Sequence, residues 1–155
     1  MNILLQQARI VDGSRESEPQ DILIRNGKIA AISTHIGVEK DMDVWTSPHL
    51  CVSPGWLDVG VQTGDPGFEH REDLRSVAAA AARGGFTSIA PFPNTQPAVH
   101  SKSEILYIRN NTHGLGVHFY PIGAVSQECA GKDLAELYDM HTAGAVAFSD
   151  GKKAV

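Results

Sequence analysis

From Ser53-Pro54-Gly55 onward the chain alternates short apolar strands with segments of helical spacing, and this alternation limits the fold more than any other feature. Trp56 to Val61 reads as a strand that runs into a polar, glycine-rich loop, Gln62 to Phe68. His70 to Arg83 sets Leu74, Val77, Ala78 and Ala81 at helical spacing, and Gly84-Gly85 closes the helix. Phe86 to Ala90 predicts a second strand, with the loop Pro91 to Pro97 at its C-terminal end. Ser101 and Glu104 form a capping box ahead of Ile105 and Ile108, so a second helix starts there. Val117 to Ile122 predicts a third strand. Leu134, Leu137, Tyr138 and His141 mark one face of a third helix, stopped by Gly144, and Ala145 to Phe148 a fourth strand. Such alternation means parallel βαβ units with right-handed crossovers. Barrels and open doubly wound sheets both begin this way. A (β/α)8 barrel needs eight strands and about 250 residues, so residues 54–155 hold at most its first four strands and three helices.

Residues 1–53 read differently, as a small β module. Asn2 to Val11 carries Ile3, Leu5, Ile10 and Val11 before a turn at Asp12-Gly13, and Gly13 to Gln20 is a solvated loop. Asn26-Gly27 lies between the runs Asp21 to Arg25 and Lys28 to Ile32, a strong hairpin signal because both residues tolerate positive φ. A further strand is expected around Val44-Trp45.

Charge and composition remove several function classes. Thirteen Lys and Arg against 18 Asp and Glu give a net charge of −5, so no basic surplus invites nucleic acid or an anionic membrane. No apolar run approaches the ~20 residues of a membrane span, and no charged-then-apolar leader opens the chain. The two cysteines, Cys51 and Cys129, show no CxxC spacing and are expected as buried thiols in a reducing, cytoplasmic compartment. No GxGxxG or GxxxxGK[ST] follows any strand, so nucleotide binding has no motif behind it.

Four ordered stretches carry a family resemblance. Pro54-Gly55-Trp56-Leu57-Asp58-Val59-Gly60-Val61-Gln62-Thr63-Gly64-Asp65-Pro66-Gly67 resembles the first-strand signature of the dihydroorotases of the amidohydrolase superfamily, Pro-Gly-x-x-Asp-x-His-x-His-x-Arg-Asp-Pro-Gly. Glu69 to Asp73 is similar to the start of that family's first barrel helix, and Pro93-Asn94-Thr95-Gln96-Pro97 to its Pro-Asn-Thr-x-Pro loop. Ala143 to Gly151 resembles its fourth strand, which usually ends Phe-Ser-Asp-Asp-Gly. The resemblance implies the N-terminal half of a (β/α)8 amidohydrolase barrel, preceded by part of a small β-sandwich. For active members it implies reversible cyclisation of N-carbamoyl-aspartate to dihydroorotate, with zinc-bound hydroxide attacking the ring amide.

The departures from that pattern matter more than the matches. The two zinc-binding histidines of the family fall on Gly60 and Gln62, where a two-residue spacing would set both side chains on one strand face. Glycine offers no ligand, and a neutral amide is a poor match for Zn²⁺. The arginine that would clamp a substrate carboxylate falls on Gly64. The metal-bridging aspartate falls on Gly151, or on Asp150 if the match slips by one residue. The remaining ligands and the general base of the family would lie beyond Val155. Asn94 alone keeps a substrate-binding position, and it competes with a plain role as a turn former.

The seven histidines raise other metal readings. His35, His49, His100 and His113 fall in loops or at element ends and read as solvated, whereas His118 and His141 read as packed core residues. His70 with Glu69 and Asp65 would form a replacement site, though their spacing matches no single helix or strand face. The expectation is therefore a dihydroorotase-like protein without catalytic residues or a cofactor in this chain. Inactive relatives act as structural partners of aspartate carbamoyltransferase, which is the implied partner here. Self-association, or pairing with the second half of the barrel, is expected through open sheet edges at Trp56–Val61 and Ala145–Phe148, with apolar residues such as Ile89 and Val146 on the inner face. The alternative is an active cyclic amidohydrolase with a non-standard zinc site or with ligands supplied by a longer chain.

Overall fold

Asn26 and Gly27 both adopt positive φ, 51° and 73°, and so turn the chain between two antiparallel strands as their sequence demands. The computed structural model describes residues 1–13 and 15–153, and the chain divides into two units after Pro54. In the first unit the strands are β1 (Asn2–Asp12), β2 (Arg15–Glu16), β3 (Gln20–Arg25), β4 (Lys28–Ser33), β5 (Asp43–Thr46) and β6 (Cys51–Val52). β1 is the hub. It pairs antiparallel with β2 and β3 and parallel with β5 and β6.

The β1–β3 ladder slips between Leu5 and Ala8, where Gln7 has φ 54°. Asp21 repairs the irregularity, because its buried carboxylate accepts the backbone N–H groups of Gln7 and Ile36, each at 2.9 Å. Leu5, Ala8 and Ile22 form this unit's core. Two expectations fail here. The loop expected over Gly13 to Gln20 contains the short strand β2, and Cys51 is exposed because it sits on β6, a two-residue strand at the sheet's margin.

The second unit contains β7 (Trp56–Val61), α1 (Leu74–Arg83), β8 (Phe86–Pro91), α2 (Lys102–Asn111), β9 (His118–Phe119), β10 (Ile122–Gly123), α3 (Leu137–Ala143) and β11 (Ala147–Phe148). The pairings between these strands are parallel, β7–β8–β9 in one sheet and β10–β11 in the other. β9 and β10 are two pieces of one strand, separated at Tyr120-Pro121 because proline has no N–H for a ladder. The Pro121 carbonyl still accepts Val146 N–H at 3.1 Å, and Tyr120 N–H donates to Ile89 at 2.9 Å. The order is therefore first, second, third, fourth, as in the opening half of a (β/α)8 barrel.

α2 starts at the expected capping box, with Ser101 and Glu104 both bonded. α1 starts at Leu74 instead of His70, because Asp73 caps it through Ser76 N–H at 2.7 Å. α3 is shorter than expected, and a different face is buried. Leu134 lies before the helix in a bridge with Ser126, so the buried residues are Met140 and Ala143, while Tyr138 and His141 are exposed. His118 is also exposed, whereas half-buried His100 accepts Glu128 N–H at 3.3 Å.

The core lies between strands and helices. Ile89, 1% exposed, packs with Val77, Ala78 and Val117 in the helix layer, so it is not on an exposed sheet face as expected. Val99, Ile105, Ile108, Met140 and Ala145 form the second cluster. Val146 (56%) and Val59 (66%) are exposed, as are Trp56 and Leu57 on the outermost strand β7. Beside β7 runs a cleft of about 260 Å³ lined by Asp58, Val61, Val77 and Phe86 among others.

Ile105→Ala should cost about 2–5 kcal/mol of stability, since a fully buried side chain is truncated. Leu106→Ala, one residue along on the solvent side, should cost less than about 1 kcal/mol. Denaturant melts of both variants check this, and equal losses would contradict the assigned helix face.

Candidate functional site

The C-terminal ends of β7, β8 and β11 bring together the residues that the sequence singles out. Gly60 interrupts the β7–β8 ladder, which shifts register between Val59 and Val61, and it adopts φ 93°. A Cβ at this position would lie 2.8 Å from Phe92 Cε2 and 2.9 Å from Cζ. Phe92 is anchored there by its N–H, which donates to the Val61 carbonyl at 2.9 Å. β7 ends at Val61, so Gln62 lies on the loop beyond it and is exposed. Gln62 thus lies in the loop that the sequence places from Gln62 to Phe68, outside the strand that carries Gly60.

Gly64 is enclosed by backbone. A Cβ there would overlap the Phe68 carbonyl and lie 2.5 Å from that of Glu72, so an arginine has no room in this loop. The loop is tied to the next one by Gln96 N–H donating to Pro66 at 3.0 Å.

At the end of β11, Asp150 is 1% exposed and fully engaged. Its Oδ1 accepts Val125 N–H at 2.8 Å and Ser126 N–H at 2.9 Å, while Oδ2 accepts the Ser126 hydroxyl. Ser126 Oγ in turn accepts Gly131 N–H at 2.7 Å. Burial works to raise the Asp150 pKa, but the Ser126 hydroxyl and the two backbone donors outweigh it and hold the carboxyl below its ordinary value. Asn94 Nδ2 donates to the Asp150 carbonyl at 3.0 Å. Asn94 Oδ1 is buried and has no hydrogen-bond partner among the described residues. It abuts Gly151, where φ is 65° and a Cβ would overlap Oδ1 and lie 2.8 Å from Asn94 Cγ.

Asp65, Glu69 and His70 are not gathered into a site. The buried Asp65 carboxylate accepts the Tyr107 hydroxyl at 2.8 Å and Leu74 N–H at 3.4 Å. That hydrogen bond and burial push the Tyr107 pKa up to about 12. Glu69 accepts Gly67 N–H at 2.7 Å, and exposed His70 lies edge-on to Phe68. Among the described residues no three His, Cys, Asp or Glu side chains could hold a metal ion together. The residues at the strand ends do not fit zinc. Glycines at positions 60 and 151 offer no ligand, Phe92 packs close to Gly60, and both Asp150 oxygens accept from donors of the chain. Sequence reasoning missed Phe92 and Ser126, since neither stands at a position the motifs mark.

A family model described as dihydro-orotase-like matches residues 50–155, and the chain belongs to that family. It is 42% identical over 158 residues to a dihydroorotase of Syntrophus aciditrophicus (strain SB), covering 100% of this chain and 37% of that protein. A dihydroorotase of Pelotomaculum thermopropionicum (strain DSM 13744 / JCM 10971 / SI) is 40% identical over 151 residues, 97% of this chain and 35% of its own. The chain thus spans little more than a third of the length of these curated relatives. The solved L-hydantoinase (dihydropyrimidinase) from Arthrobacter aurescens superposes with a TM-score of 0.75 at 29% identity, covering 94% of this chain and 32% of that one. A crystal structure of a dihydroorotase matches in fold, with a TM-score of 0.61 at 15% identity over 95% of this chain and 41% of that one. Gly55 onward therefore holds the N-terminal half of an amidohydrolase barrel.

Asp150→Asn should destabilise the protein by about 2–3 kcal/mol, because charged acceptor bonds to buried donors are lost. The folded-state pKa of Asp150 is depressed, so its contribution is complete above the unfolded value near ~4 and is lost as pH falls through the folded value. Melting curves from pH 7 down to acid should show the difference between native and variant protein shrinking below about pH 4. A constant difference would contradict this role.

Proposed function

We propose that this chain is part of a non-catalytic dihydroorotase-like protein of pyrimidine synthesis that serves as a structural partner. The packing of Phe92 against Gly60 carries the reading, because the ring stands where the first zinc-binding histidine of the family would begin. Gln62, Gly64 and Gly151 support it, since zinc ligands and a carboxylate clamp are replaced together. Loss of a single ligand would leave an impaired enzyme. Loss of several, with the space refilled, leaves a scaffold.

Aspartate carbamoyltransferase is the partner we propose, on the family resemblance, and the cytoplasm the compartment. No helix among the described residues is long and apolar enough to cross a membrane. The exposed side chains Trp56, Leu57 and Val59 on β7 support association through that strand, because parallel sheets are normally covered on both faces. The occupant is the remainder of a barrel or, for the 155-residue segment expressed by itself, another copy.

The test is hydrolysis of dihydroorotate by the full reading frame with added zinc, together with elemental analysis. We expect no turnover and no stoichiometric zinc; turnover with one or more bound zinc ions would establish the active alternative. Light scattering on the 155-residue segment should show association or partial unfolding. A monodisperse, cooperatively melting monomer would contradict the open-edge account.

A further inference from the structure

Helix α2 ends beside a second cleft, which none of the four family motifs touches. It holds about 490 Å³ and is lined by Arg109, His113, Gly114, Gly116, His118 and Phe119 among others. Arg109 lies in the last turn of α2 and His118 opens β9, so the cleft sits at the N-terminal ends of the strands. Gly60, Asn94 and Asp150 lie at the opposite, C-terminal ends.

Three nitrogen-bearing side chains, Arg109, His113 and His118, meet here with no carboxylate among the lining residues, in a chain of net charge −5. None of the ion pairs among the described residues involves Arg109. Its guanidinium is nonetheless held in place. Nη1 donates to the Ala143 carbonyl at 2.7 Å, and a Cβ at Gly144 would lie 2.6 Å from the same nitrogen. A guanidinium fixed at one nitrogen keeps further N–H groups in a planar fork that matches the oxygens of a phosphate. The His118 ring lies 6.3 Å from that of Tyr120 at an interplanar angle of 32°, which limits its rotation. Gly114 and Gly116 have φ 79° and 80°, and nothing lies within 4 Å of where their Cβ atoms would stand. A ligand can therefore come close to this stretch of backbone.

The same features select the class of ligand. A guanidinium beside the two imidazoles repels a metal cation, and the acidic net charge disfavours a polyanion such as nucleic acid. The volume falls within the roughly 300–1,000 Å³ of small-molecule sites and exceeds what one oxyanion fills. Val117 and Phe119 add an apolar wall. We propose that this cleft binds a small organic phosphate, with the phosphoryl oxygens on Arg109, His113 and His118 and the organic part against Phe119. The inference stands apart from the non-catalytic reading, since it uses no residue of the strand ends.

Calorimetric titration of the full-length protein with phenyl phosphate at constant ionic strength tests it. Saturable binding at one site is expected. Inorganic phosphate should bind about fivefold more weakly or worse, because the apolar wall is left uncovered. Arg109→Lys should weaken phenyl phosphate binding by about tenfold, since the planar fork is lost. Because Arg109 also holds the end of α3, a second variant at exposed positions, H113A/H118A, guards against misfolding and should weaken binding by about threefold or more with the melting temperature kept. No saturable binding, equal affinity for inorganic and phenyl phosphate, or full affinity in H113A/H118A would each overturn the proposal. Dihydroorotate turnover by the unmodified protein would instead refute the non-catalytic reading and leave this binding untouched.

Discussion

A buried carboxylate must be surrounded by donors, and the arrangement at the strand ends meets that demand for Asp150. Its oxygens draw in the backbone N–H groups of Val125 and Ser126 and the Ser126 hydroxyl. The segment after β10 is thereby fastened to the end of β11, and Ser126 passes the constraint on to Gly131. Asn94 then closes the third side by donating to the Asp150 carbonyl. Hydrogen bonds to an ionised group are the stronger kind. This set joins the loops of the second, third and fourth strands.

The glycines around this network are tied to the same geometry. At Gly60 and Gly151 a side chain would run into Phe92 and Asn94, and at Gly64 into the loop's own backbone. The family's metal and carboxylate chemistry would require side chains at all three. Here the loops close against one another at these positions, and the proposed non-catalytic reading draws on that packing. The exposed apolar face of β7 stands apart from this closure. Its side chains Trp56, Leu57 and Val59 are exposed, whereas the loop cluster is closely packed.

The sequence made local chemistry easy to read and tertiary packing hard. Asn26-Gly27 and the Ser101–Glu104 capping box appear where their residue types demand, because each works through bonds within a few residues. The third helix shows the limit. Leu134 continues a helical spacing, yet its bridge to Ser126 takes it out of the helix and moves the buried face to Met140 and Ala143. Ile89 was assignable to a strand, but which face it takes depends on where α1 packs. At the candidate site the motifs marked Gly60, Gln62, Asn94, Asp150 and Gly151, since a missing ligand is visible in a known pattern. Phe92 was invisible, because what fills a vacated position depends on a loop conformation that no spacing rule encodes.

Anomalous X-ray diffraction at the zinc edge, from crystals of the full-length protein grown with zinc, addresses the central claim directly. The account predicts Phe92 over Gly60, the Asn94 amide against Gly151, and no anomalous peak among the ends of β7, β8 and β11. A zinc peak there, ligated by Gln62 or Asp150 with Phe92 swung aside, would contradict it.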